Sequence, residues 1–177
     1  MSPIVVVLLA AAAMEPIAAI LHRLVMHRRG WGWHRDHHAP HRARFETNDL
    51  FPVVFAAVTI IVMAVGASFV ALRPLLWIGA GVTAYGAAYL LVHDVCVHGR
   101  IGRPIERTAY VRYVRRAHRV HHLFGREPYG FLFPVVPTGL RSRAERLDRD
   151  GDGRVNAAAT VDSLRAIDTR ARRVNTS

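Results

Sequence analysis

The most distinctive chemical feature of this sequence is its histidine content, eleven in 177 residues. Ten of them follow one spacing pattern that occurs twice, in which two histidines separated by four residues precede a His-x2-His-His motif. The first copy comprises His22, His27, His34, His37 and His38, and the second comprises His93, His98, His118, His121 and His122. Imidazole is the commonest metal ligand among side chains, so this repeated pattern indicates metal binding.

Helix geometry indicates how these histidines could converge. Residues three and four apart share a helix face, so each His-x2-His-His motif can present three imidazoles to one centre. The histidines of an x4 pair lie about 140° apart on a regular α-helix. A local widening or a helix end must turn them inward, or each serves a different metal. Ten imidazoles match two metals with roughly four or five nitrogen ligands each, and ligand type alone leaves iron, zinc, copper and nickel open.

Three apolar segments must position the motifs, and each approaches the roughly 20 residues that cross a bilayer as a helix. They run from Pro3 to Leu21, Phe51 to Leu72 and Leu75 to Val92. Only Arg73 and Pro74 separate the last two, which predicts an antiparallel hairpin. A shorter stretch, Tyr129 to Leu140, contains two prolines and is predicted to be re-entrant or interfacial, with a fourth span as the alternative. The predicted fold is all-α, with three or four transmembrane helices and a histidine-rich cap.

The charge distribution predicts how the chain is oriented. All 24 positive residues are arginine, for a net charge of +11, and they concentrate in the segments that carry the histidines. By the positive-inside rule both segments, and therefore every histidine, are predicted to be cytoplasmic. A nucleic-acid binder of this size would rarely carry three long apolar segments, so anionic lipid explains the charge better than nucleic acid does. The N-terminus lacks the positive region of a secretory signal and is predicted to be a retained span.

The composition divides the chain at residue 140. Residues 1–140 form the predicted membrane domain, and residues 141–177 form an Arg/Asp-rich cytoplasmic tail that is predicted to be loosely ordered. Within the tail, the run from Asp148 to Asn156 matches the spacing of an EF-hand loop. The twelfth position is Ala159 instead of the bidentate glutamate, which favours an Asp/Gly-rich turn over a calcium site.

Four residues near the histidines could support them. A carboxylate within a span is costly, so Glu15 is predicted to fix the orientation of an imidazole, with helix packing as the alternative. Asp94 adjoins His93 and could act in the same way, or could be a solvated helix-end carboxylate. Tyr85 and Tyr89 lie four residues apart on a stripe that leads to His93. They are candidates to line a substrate channel, although ordinary helix packing is slightly favoured.

Three further residues have simpler interpretations. Cys96 is a lone cysteine between two histidines, and we expect a buried core residue rather than a thiolate ligand. Trp31 and Trp33 follow the first span directly and are predicted to be interfacial anchors.

Four stretches of the chain, within about residues 14 to 134, resemble the bacterial β-carotene hydroxylases of the fatty acid hydroxylase superfamily. They are HRLVMHRRGWGWHRDHHAP, RFETNDL, GAGVTAYGAAYLLVHDVCVHGR and RRAHRVHHLFGREPYGFLF. The histidine motifs mark the wider superfamily, whereas the Gly-Trp-Gly-Trp run at Gly30 to Trp33 and the Glu-Thr-Asn-Asp run at Glu46 to Asp49 resemble the carotenoid branch. His41 and the tail lie outside the resemblance.

The resemblance implies a non-haem di-iron monooxygenase in which the ten histidines bind two Fe²⁺ ions and O₂ is the co-substrate. It implies hydroxylation at C3 of carotenoid β-ionone rings, from β-carotene through cryptoxanthin to zeaxanthin. The chain has no GxGxxG fingerprint, so electrons are expected from a partner such as a ferredoxin-like carrier, docked on the arginine-rich face. One alternative is a hydroxylase or desaturase of a fatty acid or sterol. Another is a histidine-rich metal carrier, which should place its ligands near the bilayer midplane.

Overall fold

A computed structural model describes residues 1–39, 45–101 and 107–149 of the chain. All regular elements in these ranges are helical, which confirms the predicted all-α fold class. The α-helices are α1 (Pro3–Leu21), α2 (Trp31–His34), α3 (Leu50–Ser68), α4 (Arg73–Tyr89), α5 (Ala109–Phe124) and α6 (Thr138–Arg149). Two π-helical segments, His22–Arg29 and Leu90–Val97, continue α1 and α4 without a break.

Three segments of the described chain are long and apolar enough to cross a membrane. They are Pro3–Arg29, Thr47–Ser68 and Val70–Val97. Large apolar side chains on them face outward, as at Leu8 and Ile60, which are 63% and 66% exposed. Helices suit this environment because all their interior backbone groups are bonded within the segment. The three predicted spans are therefore confirmed as candidate membrane helices.

Helix α4 packs against both α1 and α3. Glycine permits these close approaches: a Cβ at Gly81 would overlap the Val7 carbonyl oxygen of α1, and one at Gly79 would overlap the Met63 side chain of α3. Small residues at such contacts are typical of membrane helix pairs. The predicted hairpin of the second and third spans is present, with its turn at a short 3₁₀ helix, Val70–Leu72.

The course of the three long helices brings the motifs to one end of the structure. Helix α1 runs toward this end, α3 begins near it, and α4 returns to it. The second π-helical segment packs against α5, and the rings of His22 and His27 in the first segment contact that of His121 on α5. The side of the membrane on which this end lies stays a prediction from the arginine distribution.

The stretch predicted to be re-entrant or interfacial contains no helix between residues 126 and 137. Phe131 and Leu132 within it are nonetheless buried. The hydroxyl of Tyr110 on α5 donates to the Leu132 carbonyl at 2.9 Å, and that of Tyr113 donates to the carbonyl of Pro134. Irregular backbone next to membrane helices requires such internal partners.

Helix α6 crosses the domain boundary predicted at residue 140. Its Ala144 is buried against Val120, Leu123 and Phe124 of α5. The domain division at residue 140 and the loose order of the tail stay predictions. Residues 150–177, which include most of the EF-hand-like run, lie outside the described residues, and so does His41.

Candidate metal centre

Five histidines bring one nitrogen atom each to a common point beyond the end of α1. These nitrogen atoms all lie within 4.8 Å of one another, a separation that one metal ion could bridge. We call this group the first histidine set: His22, His27, His34, His38 and His121. Its members come from the π-helical segment after α1, the α2 region and α5.

Four more histidines converge in the same way beyond α4, again with ligand atoms within 4.8 Å of one another. We call them the second histidine set: His37, His93, His98 and His118. His93 lies in the second π-helical segment, and His98 directly follows it. The two sets are neighbours, because the rings of His37 and His34 lie 5.5 Å apart and those of His118 and His121 lie 5.9 Å apart.

Each His-x2-His-His motif contributes to both sets, whereas the helical spacing had suggested that each motif would serve one centre. On α5, His118 belongs to the second set and His121 to the first. His122 lies between the sets, with its ring 4.3 Å from that of His118 and 4.4 Å from that of His38. Its Nε2 is buried and has no hydrogen-bond partner within the described residues.

Helix widening explains how the x4 pairs converge. The Gly30 N–H donates to the Val25 carbonyl at 2.8 Å, and the His98 N–H to the His93 carbonyl at 3.0 Å, both with the i→i+5 pattern of a π-helix. This pattern brings residues five positions apart onto one face. The rings of His22 and His27 are 4.9 Å apart, and those of His93 and His98 are 4.6 Å apart.

The Nδ1 atoms of five of these imidazoles are held by oxygen atoms. The partner is the Tyr129 carbonyl for His22, the Asn48 side chain for His34, Glu46 for His37, Asp94 for His93 and the Arg126 carbonyl for His121. A neutral imidazole that donates from Nδ1 has its lone pair on Nε2. Such partners orient the ring and fix the tautomer, as they do for metal-binding histidines.

The Nε2 atoms consequently meet as acceptors. Those of His22 and His34 are 3.1 Å apart although both rings donate from Nδ1, so neither can donate to the other. The Nε2 atom of His93 is also buried and lacks a hydrogen-bond partner among the described residues. Converging lone pairs repel one another unless they share a cation, so this donor set fits a metal ion.

Burial keeps the imidazoles in the ligand form. It lowers the pKa of His34 to about 4, that of His121 to about 3 and that of His98 to about 2, because charged imidazolium is disfavoured away from water. These three side chains are neutral at pH 7. Metal binding there requires no deprotonation.

Comparison with known proteins identifies the family. The family model described as "Fatty acid hydroxylase" matches residues 7–138, which cover both histidine sets and all but the first four residues of the three candidate membrane helices. The chain belongs to the fatty acid hydroxylase family. It is 47% identical to the β-carotene hydroxylase of Pseudescherichia vulneris over 142 residues, 77% of this chain and 80% of that protein.

Other organisms contain similar members of the family. The β-carotene hydroxylase of Pantoea ananas is 46% identical over 151 residues, 82% of this chain and 84% of that protein. The chloroplastic β-carotene 3-hydroxylase 1 of Arabidopsis thaliana is 42% identical over 154 residues, 84% of this chain and 49% of that protein. No solved structure matches the chain.

Glu15 was predicted to fix the orientation of an imidazole, but its carboxylate bonds to the segment after α5 and to Tyr85. Its Oε1 accepts hydrogen bonds from the backbone N–H groups of Phe131 at 2.9 Å, Leu132 at 3.1 Å and Phe133 at 2.9 Å. Its Oε2 accepts from the Tyr85 hydroxyl at 2.6 Å. The carboxylate therefore anchors the irregular segment after α5 instead of bonding to an imidazole.

The segment anchored by Glu15 lies directly against the histidines. The ring of Phe131 is stacked on His22 of the first set at 4.8 Å, and it also contacts His93 of the second set at 5.4 Å. Gly130 allows this approach, because a Cβ there would be 2.7 Å from Glu15 Oε1. Glu15 thus acts on the imidazoles through the backbone of residues 129–133.

The other three supporting residues lie next to His93 or to Glu15. Asp94 accepts from His93 Nδ1 at 2.7 Å and so holds the orientation of that ring. The ring of Tyr89 is stacked on His93 at 4.7 Å, whereas Tyr85 is held by Glu15. Cys96 is buried and belongs to neither set.

The two tryptophans differ in their surroundings. The ring of Trp31 lies 5.5 Å from those of both His27 and His38, so it packs against the first set. Trp33 is 46% exposed, which suits an interfacial position.

Sequence reasoning did not identify a network of polar side chains around the second set. Arg100 donates to Glu46 at 3.0 Å and to Asp49 at 2.7 Å, while Glu46 also accepts from His37 Nδ1 at 2.8 Å. Asn48 supports His34 from the same short run. The resemblance of this run to carotenoid hydroxylases was the one signal in the sequence that singled it out.

Proposed function

We propose that this protein is a carotenoid β-ring 3-hydroxylase, which converts β-carotene through β-cryptoxanthin to zeaxanthin. The observation that carries the proposal is the pair of buried histidine sets at one end of three apolar helices. Its support from comparison is the identity of 46–47% to two bacterial proteins named β-carotene hydroxylase. An apolar polyene is soluble in the bilayer, so a substrate of this kind can reach the helices from the lipid.

The proposed cofactor is a pair of iron ions, one in each histidine set, with His122 as a further ligand between them. Bound iron, reduced by an outside donor, supplies with O₂ the oxidising power that an unactivated ring C–H requires. The five imidazoles that donate from Nδ1 to oxygen atoms would hold the metals through Nε2, with their rings oriented by those hydrogen bonds.

Aromatic side chains on the membrane side of the histidines are proposed to position the substrate ring. Phe131 contacts a histidine of each set, and Tyr89 packs against both His93 and Phe131 at 4.7 and 4.9 Å. In this proposal the same two rings would exclude water from the site. Tyr85 contributes by fixing Glu15 and hence the segment that carries Phe131.

The orientation and the electron donor belong to the same proposal. The arginine-rich segments are proposed to face the cytoplasm, with the histidine sets on that side. An acidic, ferredoxin-like carrier is the proposed partner, since a basic face favours encounter with an acidic protein.

The test is expression in a β-carotene-producing bacterium, with pigments separated by chromatography. The wild-type chain should yield cryptoxanthin and zeaxanthin, and His121→Ala, which loses a member of the first set, should yield neither. Glu145→Gln alters an exposed ion pair with Arg141 and serves as the matched control that keeps activity. Unchanged β-carotene, with iron-loaded wild-type protein present in the membrane, would contradict the carotenoid assignment and favour a fatty acid or sterol substrate.

A further inference from the structure

The two histidine sets differ in the oxygen atoms that hold them. In the first set, the Nδ1 partners of His22 and His121 are main-chain carbonyl oxygens at 2.9 and 2.6 Å, and that of His34 is the side-chain amide oxygen of Asn48 at 2.7 Å. All three acceptors are uncharged. The nearby carboxylate of Asp36 uses its Oδ2 for Thr47 instead of an imidazole.

In the second set the corresponding partners are carboxylates. Glu46 Oε2 accepts from His37 Nδ1 at 2.8 Å, and Asp94 Oδ1 accepts from His93 Nδ1 at 2.7 Å. Both imidazoles are buried, so water screens these contacts little. A negative acceptor on Nδ1–H increases the basicity of Nε2 toward a metal more than an uncharged acceptor does.

Arg100 holds this arrangement together. Its guanidinium donates to Glu46 at 3.0 Å and to Asp49 at 2.7 Å, and its backbone N–H donates to the Asp94 carbonyl at 3.0 Å. Two carboxylates, those of Glu46 and Asp49, therefore share one guanidinium, and Asp94 adds a third carboxylate next to His93. These four described side chains together carry a net negative charge. This charge adds to the attraction for a divalent cation.

The number of imidazoles does not offset this difference. The first set has five and the second four, but His122 lies 4.3 Å from His118 and 5.0 Å from His37, ring to ring, so it can serve as a fifth for the second set. Loss of one such oxygen partner typically lowers metal affinity by about 10- to 100-fold. The two carboxylate partners of the second set should therefore raise its metal affinity by more than one shared imidazole could raise that of the first set.

We propose that the second histidine set is the tighter of two unequal metal sites and fills first, and that Glu46 and Asp94 are the positioning residues that create the difference. This inference rests on the proposed function only in requiring that both sets bind a metal ion. In the functioning protein, the two irons would then be electronically distinct, with the more electron-rich centre next to Arg100.

The test is a titration of the purified full chain in detergent, stripped of metal and supplied with Co²⁺ alone. Bound Co²⁺ is followed by its visible absorption and by equilibrium dialysis. The wild-type protein should bind two equivalents in two steps that differ by about 10-fold or more in affinity. His98→Ala should remove the tighter step, and His27→Ala the weaker one.

Two nearly isosteric variants that change a charge test whether the oxygen partners cause the difference in metal affinity. Glu46→Gln should weaken the tighter step by about 10- to 100-fold while the weaker step, which reports an intact fold in the same sample, stays unchanged. Asn48→Asp gives His34 a carboxylate partner and should tighten the weaker step, so that the two steps approach each other. Glu145→Gln, on the exposed face of α6, is the matched control and should change neither step.

The outcomes separate the two proposals. Two equivalents bound with equal affinity, or two steps that neither charge variant shifts, would overturn the unequal-site inference and leave the metal-dependent function standing. Fewer than two equivalents in the wild-type chain would contradict the two-metal centre on which both proposals depend.

Discussion

Removal of the Glu15 carboxylate should release the segment of residues 129–133 from α1. Glu15 Oε1 accepts from three consecutive backbone N–H groups, and its Oε2 accepts from Tyr85. In Glu15→Ala all four donors lose this acceptor. No other residue of the described chain is seen to bond to the N–H groups of Phe131 and Leu132, and these two residues are each only 7% exposed.

The expected loss of stability follows from these two buried donors. A buried donor left without a partner costs roughly 1–3 kcal/mol, so two of them predict a loss of about 2–6 kcal/mol in the free energy of unfolding. Phe133, at 71% exposed, is left out of this sum. Glu15→Gln keeps one acceptor oxygen and should fall between the wild type and Glu15→Ala.

The assay is denaturant unfolding in detergent together with the metal content of the folded protein. Because the released segment carries the Tyr129 carbonyl that orients His22, Glu15→Ala should also weaken metal binding at the first histidine set. The control is Glu145→Ala, which removes an exposed carboxylate paired with Arg141. A loss of less than 1 kcal/mol for Glu15→Ala, with metal content unchanged, would refute the anchoring role.

Three further perturbations test the packing and the metal dependence. Gly81→Ala should destabilise the fold, since its Cβ would overlap the Val7 carbonyl, whereas Gly86→Ala meets no atom within 4 Å and should be tolerated. Ala144→Asp places a charge against Phe124 and should detach α6, measured as faster proteolysis after residue 138. Removal of iron with a chelator should lower the melting temperature, because both sets join residues distant in sequence.

Three results would contradict these expectations. Equal stability of the Gly81 and Gly86 variants would contradict the close contact of α1 and α4. Protease resistance in Ala144→Asp would show that α6 does not depend on this packing. A melting temperature unchanged by iron removal would mean that the histidine end folds independently of metal.

The spans and the histidines that converge were predictable from sequence, because both depend on local composition and spacing. The predicted end of the first span, Leu21, is also the last residue of α1. The second span was predicted to continue to Leu72, but α3 ends at Ser68 because Phe69 adopts an extended conformation. A continuous apolar run gives no signal for such a break.

The division of the histidines between two sets could not be predicted from their spacing. Helix α5 lies across both sets, so His118 and His121 on one face reach different centres. In the first copy of the motif, α2 ends at His34, and His37 lies beyond it in a turn. Spacing rules assume one uninterrupted helix, and here the helix ends inside the motif.

Partners that are distant in sequence account for the remaining differences. Glu15 was singled out because a carboxylate within a span is costly, but its partners lie 70 to 118 residues later. Arg100 reaches Glu46 and Asp49 across 54 and 51 residues. Only the tertiary fold brings these groups together, so local sequence patterns contain no signal for them.

The iron content per chain in matched variants tests most directly whether the two histidine sets each hold one metal ion. The wild-type protein, purified after growth in iron, should contain two irons per chain by elemental analysis. His98→Ala and His27→Ala each change one set and should each contain one. Loss of both irons in either folded variant, or retention of both in each, would contradict the division into two centres.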